Sequence, residues 1–100
     1  MKTTIKEENG NYVMSFVGRL DTSASPQVEK EMQPLYDLNG RDITLDCSQL
    51  EYISSSGLRL FLRLVKNAKM KGSTVSLMGL SENIRQIFDE TGLTRLFILS

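Results

Sequence analysis

The stretch LDCSQLEYISSSGLRLFL, Leu45 to Leu62, decides how this chain folds. It opens as a buried strand, Ile43 to Cys47, in which Ile43, Leu45 and Cys47 alternate with Thr44 and Asp46. After Cys47 it runs out into polar residues, and three serines and a glycine, Ser54 to Gly57, open a segment with helical spacing. A strand leading through a polar turn into a helix implies parallel strand pairing by right-handed crossover. The first N–H groups of a helix have no partner within it and favour an anion. A serine there, such as Ser56, can cap the helix as a hydroxyl or carry a phosphate. In the second case the protein is a switch.

Downstream of the serines the spacing predicts a helix to about Lys71, with Leu58, Phe61, Leu62, Val65 and Ala68 facing the sheet. Leu60 and Leu64 fall off that stripe and read as second-side core or as a strip for a partner. Lys66, Lys69 and Lys71 suit the negative end of the helix, and Gly72 stops it. Thr74 to Met78 is a further strand. Ser81 caps a third helix with Ile84, Ile87 and Phe88 inward, closed by Thr91-Gly92, and Arg95 to Leu99 is a short last strand or extended tail. Upstream, Asn9-Gly10 between Thr3–Glu7 and Tyr12–Val17 predicts a hairpin, with Tyr12, Met14 and Phe16 on one face. Ser25-Pro26 reads as N-cap and first helical position. Val28, Met32, Leu35 and Leu38 form that helix's apolar stripe, and Pro34 predicts a kink or a break. The order is β-β-α-β-α-β-α-β: an α/β fold with a mixed, mainly parallel sheet of four to five strands and helices packed on it. Residues 1–100 are expected to form one domain.

Composition narrows the function. Twelve basic and twelve acidic residues cancel, which argues against nucleic acid as the main partner. The absence of histidine removes His-based hydrolysis and His-ligated zinc. The single cysteine, Cys47, cannot form an internal disulfide and reads as a small buried hydrophobe in a reducing compartment. The N-terminus is no signal peptide, and no apolar run approaches the ~20 residues that span a bilayer. The expectation is a cytoplasmic protein without cofactor or metal, with no membrane contact, monomeric when free.

The string DCSQLEYISSSGLRLF resembles the signature of the STAS domain of bacterial anti-sigma factor antagonists. There a strand ends in Asp-x-Ser, a short loop follows, and a Ser-Ser/Thr-Gly-Leu turn opens the second main helix. Gly18-Arg19-Leu20-Asp21 is similar to the family's segment before its first helix, and Phe88 to Leu93 to the end of its third. The resemblance implies a regulatory binding protein, not an enzyme. It places the regulatory serine at Ser56, with Ser55 second, and the partner surface at Asp21, Ser54, Ser55, Ser56, Gly57 and Leu58. It implies a partner that is both serine kinase and anti-sigma factor. The unphosphorylated protein binds that partner and frees the sigma factor, phosphorylation of Ser56 ends binding, and a metal-dependent serine phosphatase restores it. Many relatives carry aspartate where this chain has Ser54, which removes one negative charge from beside the phosphate.

Asp21 and Asp46 are candidates to repel that phosphate. Ordinary turn hydrogen bonding is the plain reading of both. Arg59, Arg63 and Lys66, at i, i+4 and i+7, read first as a solvated face and second as a partner contact. Two rival functions remain at this point. One is a STAS subunit docked on the ATPase of a lipid transporter and never phosphorylated. The other is a small phosphate- or nucleotide-binding enzyme, against which the lack of a Gly-x-x-x-x-Gly-Lys loop and of a carboxylate cluster counts.

Overall fold

Asn9 and Gly10 take φ of 55° and 83°, a left-handed pair that only such residues adopt readily. They fold β1 (Lys2–Glu8) back antiparallel on β2 (Asn11–Leu20). This is a computed structural model, and it describes residues 1–99. After the hairpin come α1 (Ser25–Tyr36), β3 (Asp42–Ile53), α2 (Ser55–Met70), β4 (Thr74–Met78), α3 (Glu82–Glu90), a 3-10 turn (Leu93–Leu96) and β5 (Ile98–Leu99). The sheet order is β1-β2-β3-β4-β5, parallel from β2 onward. Each crossover steps the same way across the sheet, so right-handed connections put all three helices on one face.

The strand residues pointing to that face form the core: Met14 and Phe16, Ile43, Leu45 and Cys47, Val75 and Leu77. Phe16, Phe61 and Phe88 run through it, with ring centroids 5.2 and 5.8 Å apart. Such tilted aromatic pairs add about 0.5–1.5 kcal/mol each beyond their buried area.

Four expectations change. First, β3 does not end at Cys47 but continues through the polar stretch to Ile53. Leu50 and Ile53 are buried and backbone pairing to β2 continues, so the residues read as a loop are strand. Second, β2 runs on to Leu20, paired with Ile53, with register shifts after Ser15 and Gly18 that take up the extra length. Pairing of β3 with β4 stops at Asp46 and Met78. Beyond that point β2 and β3 form a two-stranded arm, and α2 starts from its tip. Third, Pro34 neither breaks α1 nor divides it: the helix runs unbroken from Ser25 to Tyr36. Pro34 lies in its last turn, where the carbonyl left without a donor belongs to exposed Lys30 and is solvated instead. Fourth, Leu60 and Leu64 are buried, whereas Leu58 and Leu62 are only partly so. The helix packs against α1 as well as the sheet, which turns its apolar face toward the Leu60–Leu64 side.

Candidate functional site: the serine turn at the tip of the arm

Each of the three serines has a different environment. Ser54 holds φ −87° and ψ 172°, and its Oγ accepts the Gly57 N–H at 3.1 Å. Its own N–H donates to the Leu20 carbonyl at 2.9 Å, and its carbonyl accepts from Leu58 N at 2.9 Å. Ser54 is therefore the N-cap, buried, with all of its polar groups engaged. Ser55 is exposed and Ser56 half-buried, both within the first helical turn. Capping, the plain use of a serine here, is already performed by Ser54. Among the described residues the Ser56 hydroxyl has no hydrogen-bond partner.

Gly57 is required by space. Its φ is not positive, so freedom of the turn is not the reason. A Cβ there would lie 2.8 Å from Ile53 Cγ1 and 2.8 Å from Leu20 Cγ. The glycine lets the first turn of α2 sit directly on the Leu20–Ile53 pair that ends the arm.

The same pair brings Asp21 alongside, since Asp21 follows Leu20 as Ser54 follows Ile53. Asp21 Oδ1 accepts the Ala24 N–H at 2.9 Å, and the Asp21 carbonyl accepts from Ser25 N and Ser25 Oγ. Ser25 was expected to cap α1, but the N-cap is Ala24, which makes no side-chain cap hydrogen bond, and Asp21 closes the turn just before the helix. The Ser25 hydroxyl turns back to the Asp21 carbonyl instead, so the helical hydrogen bonding starts one turn earlier. Both α1 and α2 thus begin at the carboxyl ends of adjacent parallel strands, where α/β folds place their binding residues.

Asp46 does not join them. It lies where β3 still pairs with both Ser15 and Met78, at the base of the arm, and its Oδ1 accepts from Ser48 N at 3.0 Å and Ser48 Oγ at 2.7 Å. It is a turn-type hydrogen-bonding aspartate, too far down the strand to repel a charge on the serine turn.

Two depressions flank the turn. One, about 250 Å³, lies between α1 and α2 and is lined by Thr22, Ser25, Pro26, Glu29, Ser56, Arg59, Leu60 and Arg63. Across it Arg63 donates to Glu29 at 2.8 Å, tying the two helices, so the basic stripe is not wholly a solvated face. The other, about 310 Å³, is the more apolar and is lined by Ser55, Leu58, Arg59, Leu62, Thr91 and Leu93. The half-buried Leu58 and Leu62 form its floor. The contribution of α1 was invisible in the sequence, because nothing local links Glu29 to Arg63. Among the described residues no group of three or more His, Cys, Asp or Glu side chains could hold a metal ion. No helix among them is long and apolar enough to cross a membrane.

A one-faced α/β sheet with a serine–glycine turn raised on a two-stranded arm defines a class of small α/β domains. The chain belongs to the STAS domain family, whose profile matches residues 2–100. It is similar to the anti-sigma-B factor antagonist of Bacillus subtilis (strain 168), at 27% identity over 96 residues, 96% of this chain and 87% of that protein. The anti-sigma-B factor antagonist of Listeria monocytogenes is 29% identical over 91 residues, 90% of this chain and 80% of the relative. A solved structure of an anti-sigma-factor antagonist (STAS) domain protein from Planctomyces limnophilus shares the fold, with a TM-score of 0.88 at 18% identity, covering 98% of this chain and 87% of that one.

Proposed function

We propose that this protein is an anti-sigma factor antagonist. Unphosphorylated, it binds an anti-sigma factor that is also a serine kinase and so releases a sigma factor; phosphorylation of Ser56 ends that binding. The observation that carries the reading is the division of labour in the serine turn. Ser54 takes the capping role, and the Ser56 hydroxyl remains at the rim of a cleft with no structural task. The names of its curated relatives point the same way.

In the transfer, Ser56 Oγ attacks the γ-phosphorus of ATP. The new Oγ–P bond forms as the bond to ADP breaks, and the hydroxyl proton passes to a base on the kinase. A phosphate brings about −1.5 to −2 charges at neutral pH. At the start of α2 the fold tolerates it, because the N–H groups of Ser55 and Ser56 are not used by the cap. An interface closed over the same turn does not, since an unpaired charge desolvated there costs several kcal/mol. A metal-dependent serine phosphatase completes the cycle by hydrolysing the ester. Asp21, Ser54, Ser55, Gly57 and Leu58 are the proposed contact residues, grouped at the tip of the arm.

The test pairs phosphosite mapping, after incubation with the cognate kinase and ATP, with the affinity of each variant for that kinase. Ser56→Ala is expected to bind and to resist phosphorylation. Ser56→Asp is expected to fold and to bind at least about tenfold more weakly. Phosphate on Ser54 or Ser55 overturns the assignment to Ser56 and moves the switch to that serine. No phosphate on any of the three, with unchanged affinity in Ser56→Asp, overturns the switch and favours a docking subunit that is never phosphorylated.

A further inference from the structure

The cleft between α1 and α2 contains a cation with nothing paired to it. Arg59 lines that cleft together with Ser56, one helical turn away. Among the described residues its guanidinium makes neither a hydrogen bond nor an ion pair. Arg63, a turn further on, lines the same cleft but is held by Glu29 at 2.8 Å. Residues at i and i+3 on a helix have Cβ atoms about 5–6 Å apart. Long helical side chains lean toward the N-terminus, which here is toward Ser56. A phosphate on Ser56 Oγ therefore comes within reach of the Arg59 fork, which can take two phosphate oxygens at once.

We propose that Arg59 is a built-in clamp for a phosphate on Ser56, holding the modified side chain in the cleft between α1 and α2. The inference rests on Ser56 being the phosphorylated residue. Pro26 and Leu60 give the cleft apolar walls, which strengthens a charge pair relative to open water. The Glu29 carboxylate also lines the cleft and opposes a dianion there, but its charge is matched by Arg63. That leaves Arg59 as the cleft's uncommitted positive charge. Clamped, the phosphate becomes a fixed feature of the α1–α2 surface.

The test installs phosphoserine at position 56 during translation, so that it does not depend on any kinase, and follows the phosphate by phosphorus NMR across pH. Free phosphoserine loses its second proton near about pH 6. In the wild-type background the midpoint is expected about one pH unit lower. Part of that shift comes from the helix terminus, which every variant shares, so the comparison between variants isolates the arginine. Arg59→Gln is expected to raise the midpoint by at least about half a unit, and Arg59→Lys to recover part of the shift as a point charge without the fork. Lys66→Gln, which removes a positive charge from α2 outside the cleft, is expected to leave the midpoint where it was. Coincident curves for the wild-type and Arg59→Gln proteins overturn the clamp, as does an equal rise in Lys66→Gln. Phosphosite mapping with the kinase judges the switch; this titration judges the clamp alone.

Discussion

Cys47 points into the core from the middle of β3, about 1% exposed, with its Sγ 3.7 Å from the Leu45 carbonyl. Burial, with a smaller contribution from the neighbouring Asp46 charge, raises its thiol from an ordinary 9.0 to about 12. The thiolate is the reactive form, so a thiol reagent should label the native protein slowly and the denatured protein fast. Fast native labelling would contradict the burial. The same shift has a pH consequence. The folded state keeps its proton where the unfolded chain has lost it, so stability from this group is intact below about pH 9 and falls as pH rises toward about 12. Melting temperatures between those limits should decline less steeply in Cys47→Ala than in the wild type. At this scale the serine turn was only partly legible. Three identical side chains in a row carry no internal signal for which one caps, and the assignment to Ser54 came from the φ and ψ of the chain entering α2.

In α2 the pattern of leucines admits two faces, and the contact with α1 chooses between them. Leu60 and Leu64 are buried between the helices and the sheet, while Leu58 and Leu62 floor a groove open to solvent. Leu64→Ala should therefore lower unfolding free energy by about 2–5 kcal/mol, the usual cost of a core cavity. Leu62→Ala should cost less, about 1–2 kcal/mol, since part of its side chain stays in water in the folded state and no enclosed cavity is left behind. Denaturant midpoints for the two variants check this, and equal losses would contradict the orientation assigned to the helix. The continuation of β3 to Ile53 was missed for a related reason. Alternation weakens after Cys47, and pairing with β2 rather than a hydrophobic pattern keeps the chain extended there.

For the molecule as a whole, the β1 edge of the sheet discourages strand addition. β1 carries Lys2, Lys6, Glu7 and Glu8, and among the described residues β5 comprises Ile98 and Leu99. A charged edge leaves little for another chain to pair with. The apolar groove beside Leu58 is lined by only six residues, whereas a stable interface commonly takes about 20–30 residues a side. Light scattering over a wide concentration range should give the constant mass of a single chain. A mass that doubles at low micromolar concentration would show that the groove or the open face of the sheet pairs with a second copy.

The sequence by itself determined the element order, the hairpin at Asn9-Gly10, the strand Thr74–Met78, the Ser81 cap and the inward positions of Met14, Phe16 and Phe88. Turn chemistry, capping and periodic burial are local, and local signals are written in neighbouring residues. It also brought the serine turn and Asp21 to notice through motif and resemblance. Only the tertiary structure decided that α1 starts from Ala24 with Asp21 closing the turn before it, that Asp46 stands apart at the base of the arm, and that Glu29 and Arg63 meet across a cleft on which Ser56 and Arg59 both open. Those facts depend on how far β2 and β3 run together past the end of β4. That length is set by backbone pairing between strands distant in the chain, which no local pattern records.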